Sequence, residues 1–312
     1  MKPKKRAVLN DILSRKPDKP LYHYTTQTGL LGIIATRTIW ATHTQYLNDR
    51  REFLHAVDLV RSEIERLLQE EASSHSGQPA RKKVLLRMQE AVSESMSPQT
   101  TNICVCSFSE ESDSLSQWRA YGGSSGFAVG FPSEVLIAAT ERLKWSLAPC
   151  LYDATEQRDL VRALVEEVLE DNLSGEIIAD DVTENATSED RFLSGVGGGL
   201  LSDLFRYAPI LKDHSFSEER EWRIISRPLS CHREGFAYRE GRSLLIPYYK
   251  FPLWESNQKL RLHEVVIGPT RDAERSRSSV TSFLVSRNVM TDETEGIFGP
   301  DVRISRVPYR DW

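Results

Sequence analysis

The apolar segments of this chain are short, and their length limits what it can fold into. Leu21–Thr25 (LYHYT), Asn102–Phe108 (NICVCSF) and Gly126–Phe131 (GFAVGF) are β-prone and only a few residues long, as buried strands are. None approaches the roughly 18 apolar residues of a membrane span. The basic start from Lys2 to Arg6 leads into Asn10-Asp11 rather than an apolar run, so a soluble, unsecreted, cytoplasmic protein without a membrane partner is expected. Between these runs the spacing turns helical. Phe53, Leu54, Val57, Val60, Ile64, Leu67 and Leu68 form one stripe, with Asp49 placed to cap it, and Val84, Leu85, Met88 and Val92 form another beyond the Ser73–Pro79 breaker cluster.

The same reading gives a helix over Thr28–Thr36, one after Pro132, and one after Asp153, where Asp153 and Glu156 have capping-box spacing. Asn172–Asp190 reads as an acidic loop, followed by a helical piece to about Lys212 that Gly195 and Gly197–Gly199 weaken. Later segments are strand-like: Glu221–Arg227, Ser243–Pro247, Glu264–Gly268 and Val302–Val307, with one helix over Ala273–Val285. Ile39–Thr42 adds an early strand. Helices early and strands late predict an α+β fold with a mixed or antiparallel central sheet and large helical insertions at about 49–95 and 132–212. Residues 1–20 read as a polar lead-in and 21–312 as a single domain.

Composition narrows the function classes. Forty Lys and Arg against 45 Asp and Glu leave a formal charge of −5, which excludes a polycation and weighs against tight nonspecific nucleic-acid binding, while allowing a local basic groove. Cys104, Cys106, Cys150 and Cys231 lack paired CxxC spacing and read as reduced, mostly buried thiols, neither a zinc site nor a disulfide scaffold. There is no HExxH and no fixed-period repeat, and Gly195–Gly199 misses the GxGxxG fingerprint. No metal is expected.

Three constellations carry polar chemistry. His23-Tyr24-Thr25 ends the first strand, with His23 and Thr25 on one side and Tyr24 on the other. The ten residues Ser114 to Gly123 gather Ser116, Trp118, Arg119, Tyr121 and two glycines, which suits either a pocket wall or a connector whose Trp118 packs the core. Finally, a strand starting near Glu219 would place Glu219, Glu221 and Arg223 on one face and Trp222 and Ile224 on the other. Two carboxylates so close need a cation, and Arg223 supplies it. A carboxylate kept ionised can stabilise an oxocarbenium-like transition state through a sugar hydroxyl. The same pattern also fits a salt-bridged edge strand.

The ordered series LYHYT, NDRREF, CSFSE, SLSQWRAYG, GFAVGF, SEEREWRII and VVIGP resembles the bacterial family catalogued as domain of unknown function 2971, from about Leu21 to the end. A remoter resemblance links these motifs to ADP-ribosyltransferases. His23-Tyr24 is similar to their first-strand NAD-binding element, Ser107 or the Ser114/Ser116 segment to their serine-centred strand, and Glu219-x-Glu221 to their glutamate motif. That resemblance implies an ADP-ribosyltransferase-like fold, with NAD as substrate and a protein or nucleic-acid acceptor. It also suggests a toxin or phage-defence setting. His23 would bind the adenosine ribose or phosphate, Tyr24 and Trp118 would wall the nicotinamide, and Arg119 would face pyrophosphate. Thr25, Ser107, Ser116, Tyr121 and Arg223 would complete the contacts. Glu221 would stabilise the ribosyl cation and Glu219 would serve the acceptor, with the two roles open to exchange. The rivals are a non-catalytic nucleotide- or partner-binding module and a magnesium nuclease built on Asp49, Glu219 and Glu221, against which Arg223 counts.

Overall fold

A computed structural model describes residues 11–47, 50–73, 78–94, 102–122, 126–173, 199–201, 203–255, 257–291 and 299–308. The Asp49 cap, most of the 172–190 loop and Gly195–Gly198 lie outside the described residues. The chain divides into two compact units, one made of Arg15–His43, Cys104–Pro149 and Ser215–Trp312, the other of Met1–Ser14, Thr44–Ile103 and Cys150–His214.

The first unit holds all ten described strands in one sheet: β1 Leu21–Thr25, β2 Thr38–His43, β3 Cys104–Ser109, β4 Phe127–Phe131, β5 Ser146–Pro149, β6 Glu221–Ile225, β7 Phe236–Glu240, β8 Leu245–Pro252, β9 Glu264–Ile267 and β10 Asp301–Ile304. Their order is β10-β9-β4-β1-β3-β2-β8-β7, with β6 pairing β3 and β5 pairing β6. Only β9 with β10 is parallel; the other pairs are antiparallel. The fold is therefore α+β around a mixed, antiparallel-dominated open sheet.

Two strands escape the sequence reading, and both are edges. β5 is four residues long and ends on Pro149, which cannot donate to a ladder. β7 pairs β8 alone and carries Arg239 and Glu240, so its apolar signal is weak.

Alternation along each strand gives the sheet two unlike faces. One carries Leu21, Ile39, Cys104, Cys106, Phe108, Phe131, Trp222, Ile224, Phe251 and Ile267 in a single large apolar cluster. Helix Gln27–Thr36 adds Leu30, Ile33 and Ile34 to it, Ser133–Leu143 adds Val135, Leu136 and Ala139, and Ala273–Ser286 adds Val280 and Leu284. The first of these helices has clear ends. Thr26 accepts from the Gly29 N–H through its hydroxyl, and Arg37, at φ 58°, closes the last turn onto the Ile33 carbonyl. The opposite face has a small cluster of Tyr22, Tyr24, Trp118, Ala128 and Val266 among many polar groups.

In the second unit, helices Arg50–Ser73, Pro79–Glu94 and Ala154–Leu173 pack on one another. They bury Val57, Val60, Ile64 and Leu67, then Val84, Leu85, Met88 and Val92, then Leu160, Val161, Leu164, Val165 and Val168, as the 3.6-residue period requires. Leu54, read as part of the first stripe, is exposed. Asp153 caps its helix by accepting from the N–H groups of Thr155 and Glu156. Helix Ser133–Leu143, grouped by the sequence reading with the second helical insertion, belongs to the sheet unit instead. Cys104, Cys106 and Cys150 are buried, Cys231 is exposed, and none of the four is in a disulfide. No described helix is long and apolar enough to cross a membrane.

His43, buried on the apolar face, has its imidazole pushed down to about 4 by burial, from an ordinary 6.5. Protons then bind the unfolded chain first. The stabilising contribution of neutral His43 is complete above pH 6.5 and is lost as pH falls towards 4, by about 3 kcal/mol in all. Urea unfolding at pH 7 and at pH 4.5 should show His43→Gln losing less stability on acidification than the parent. Equal losses in both proteins would reject this account.

Candidate functional site

β3 is the strand around which the candidate residues gather. Along one edge it pairs with β6 from Val105↔Ile225 to Ser109↔Glu221. Along the other edge it has two partners in succession: β2 at Thr42↔Val105 and His43↔Cys104, and β1 at Tyr22↔Ser109. Each ladder, continued in register, would bring a different residue opposite Ser107: Tyr24 from β1 and Trp40 from β2. Both cannot sit there. The two strands therefore diverge, β1 following β4 and β2 following β8, and a wedge opens whose floor is the Cys106–Phe108 stretch of β3.

His23 stands in this wedge. Its Nδ1 lies 2.9 Å from the Ser107 carbonyl, 3.9 Å from Cys106 Sγ, and its ring packs on Phe108. A carbonyl only accepts, so Nδ1 carries the proton and donates. Burial lowers the imidazole below its ordinary value, against the opposing effect of that hydrogen bond. The ring is thus neutral near pH 7, and Nε2 remains an acceptor that no described residue fills. The same burial pushes the Cys106 thiol up, reinforced by the charge of Glu221, which makes it an inert thiol rather than a nucleophile.

On the other edge of β3 the glutamate motif departs from expectation. Glu219 is not in the strand. It ends a 3-10 helix, His214–Glu219, and Arg220 follows with φ 42°, so the chain reverses its alternation before β6 begins at Glu221. Glu219 and Glu221 therefore do not share a strand face. Ser109 Oγ donates to the Glu219 carbonyl at 2.7 Å, and the Glu110 N–H donates to the Arg220 carbonyl at 3.1 Å, fixing the turn. Arg220 also pairs with Glu111.

Glu221 and Arg223 are both almost fully buried and form a two-pronged ion pair: Nε donates to Oε1 at 2.8 Å and a terminal nitrogen donates to Oε2 at 3.0 Å. Glu219 is half-buried. It is the more accessible of the two carboxylates.

The aromatic residues have a different place from the one expected of walls. Leu115–Gln117 is a single helical turn that passes into a π-helix over Trp118–Gly122, a rare geometry that recurs near functional sites. Trp118 is 1% exposed. It meets Tyr24 edge to face at 4.7 Å and donates from Nε1 to Asp113 at 2.7 Å. Tyr24 donates to the Glu111 carbonyl and accepts from the Ser114 N–H, and burial holds its hydroxyl protonated well above the usual range. This pair is a pillar beneath the segment. A Cβ at Gly126 would lie 2.2 Å from Gly122 Cα, so only glycine lets the π-turn close on β4.

Arg119 and Tyr121 are exposed on the same turn, while Ser116 shares a hydrogen bond with Ser114. Thr25, half-buried, packs its hydroxyl against Gly29. Neighbouring polar groups brace the pillar. Tyr22 and Arg303 both donate to Glu264, and although burial pushes the Glu264 carboxyl up, these bonds outweigh it and hold it below its ordinary value.

The structure thus brings His23, Ser107 and the Glu219–Arg223 segment to the two edges of one strand. It does not bring His23, Trp118 and Glu221 to one sheet face: pairing register places Glu221, Arg223, Tyr24 and Trp118 on one face, and His23 and Thr25 on the other. Sequence reasoning passed over Trp40, which borders the wedge and is about half exposed. The signal was present in the alternation of TIWATH, which turns Trp40 away from Ile39 and Ala41. A surface cavity of about 640 Å³, lined by Lys19, Ser133, Lys259, Arg261 and His263 among others, takes in none of these residues. Among the described residues no three His, Cys, Asp or Glu side chains are grouped to hold a metal.

Residues 117–224 match the family described as Protein of unknown function (DUF2971). The match begins beside Trp118 and ends in β6, so it spans the π-turn, β4, β5 and the Glu219–Arg223 segment but not His23 or Trp40. It is narrower than the motif series from Leu21 onward. No curated protein and no solved structure gives a significant match to the chain.

Proposed function

We propose that this chain is an ADP-ribosyltransferase that uses NAD as substrate and transfers ADP-ribose to a macromolecular acceptor, in the toxin or phage-defence setting of such enzymes. The observation that carries the reading is the neutral imidazole of His23, oriented by the Ser107 carbonyl with Nε2 left as an acceptor in a wedge of the sheet. An acceptor nitrogen held in that tautomer suits a ribose hydroxyl, which must donate. In the reaction the bond from ribose C1′ to the nicotinamide nitrogen breaks, its electron pair stays on the ring, and the acceptor nucleophile bonds to C1′ as it loses its proton. Anionic side chains near C1′ favour that transition state. The accessibility of Glu219 favours it for the ribose contact, with the Glu221–Arg223 pair fixing the turn from below. That is the exchange of roles left open by the sequence.

Free nicotinamide released from NAD is the decisive measurement, repeated with a chelator to separate the reading from a magnesium nuclease. His23→Ala should raise the KM for NAD roughly three- to tenfold while kcat is largely kept, since one hydrogen bond is removed from binding. An unchanged KM would remove His23 from the site. A second reading, nucleotide binding without turnover, draws support from the full burial of Trp118, which denies nicotinamide an indole wall; NAD binding without nicotinamide release would establish it.

A further inference from the structure

Strands β2, β7 and β8 carry a second group of side chains on the face that holds Glu221 and Arg223. Register places Trp40 of β2, Tyr248 and Lys250 of β8, and Arg239 of β7 there, with Trp40 directly opposite Lys250. Trp40 is 49% exposed and leans on the ring of Tyr248, with centroids 4.5 Å apart. The head of Arg239 reaches Thr42 through one long hydrogen bond of 3.5 Å, and its Nε is buried with no hydrogen-bond partner. Thr42 and Trp40 are two strand residues apart, about 7 Å. Arg239 pairs with Ile246, so it reaches Thr42 from the side away from Trp40, and the Tyr248 row lies between the guanidinium and the indole.

The chemistry of this ledge selects among ligands. An exposed indole backed by a second ring offers a stacking surface. Two cations flank it, and none of the residues that these three strands place on this face is acidic. Arg239 is only half-buried and is held by one long hydrogen bond, so an anionic oxygen is favoured at its guanidinium. A purely apolar partner would leave that donor unmet. An acidic peptide would satisfy the cations and leave the indole in water. A nucleobase with its adjoining phosphate satisfies both.

We infer that this ledge binds single-stranded nucleic acid, one base stacking on Trp40 with neighbouring phosphates along the strand on Lys250 and on Arg239. Trp40 also borders the wedge. If the transferase reading above holds, on which this clause rests, the acceptor is therefore a nucleic acid presented on the sheet face that carries Glu221 and Arg223.

Fluorescence anisotropy of short fluorescein-labelled single-stranded DNA and RNA, in the absence of NAD, tests the ledge directly. Binding should weaken as salt rises. Trp40→Ala should weaken it at least about fivefold, as loss of one stacked base does, Trp40→Phe should restore most of it, and Arg239→Gln should lower both affinity and salt dependence. Circular dichroism melts serve as the fold control. Absence of binding, equal binding by Trp40→Ala, preference for duplex, or Trp40-dependent self-association in sedimentation would each overturn the inference, the last by making a second copy the occupant. Nicotinamide release measured without oligonucleotide reports on the transferase reading alone. Binding without release keeps the ledge and rejects the transferase, and release without binding does the reverse.

Discussion

Arg223→Ala should cost the fold about 3–5 kcal/mol, because it strips the Glu221 carboxylate of a two-pronged partner in a site that water barely enters. Replacing both members, as in Glu221→Leu with Arg223→Met, should recover most of the loss, since well-packed apolar groups often match a buried ion pair in stability. Urea unfolding of the three proteins at pH 7 checks each step. A cost below about 1 kcal/mol for Arg223→Ala, the range of exposed pairs, would mean that the pair is solvated.

Glu219→Gln should lower nicotinamide release roughly 10²- to 10³-fold with little change in KM or in thermal unfolding, the signature of charge stabilisation made only in the transition state. The change keeps the shape of the side chain, and the carbonyl that Ser109 holds is untouched. Glu221→Gln makes the contrast. If Glu221 only braces the turn, its loss should lower stability along with activity, and Ser109→Ala, which frees the turn without touching either carboxylate, should reduce kcat in the same direction. A Glu219→Gln enzyme of full activity beside a folded, inactive Glu221→Gln enzyme would return the ribose contact to Glu221.

The Glu219–Glu221 spacing shows how far sequence reading reaches. It assumed one continuous strand, in which residues two apart share a face. The left-handed Arg220, tied through its carbonyl to Glu110 just beyond β3, breaks that rule, and no local pattern announces it. Trp118 is a similar case. Its composition-rich segment was legible as unusual, and the π-turn bears that out, yet whether the indole lines a hollow or fills one depends on Tyr24 and Asp113, which only the folded chain brings to it.

The elements themselves were largely written in the chain: β1, β4 and β9, the Gln27–Thr36 and Ala273–Ser286 helices, and the Asp153 cap follow from neighbours two to four residues apart, within reach of any sequence window. The order of the strands, the wedge where β1 and β2 compete for Ser107, the faces on which His23 and Glu221 finally lie, and the gathering of Trp40, Tyr248, Lys250 and Arg239 on one face were decided by tertiary structure. Each depends on which distant edges share hydrogen bonds, a choice made by packing the whole sheet against its helices rather than by the preference of any one segment.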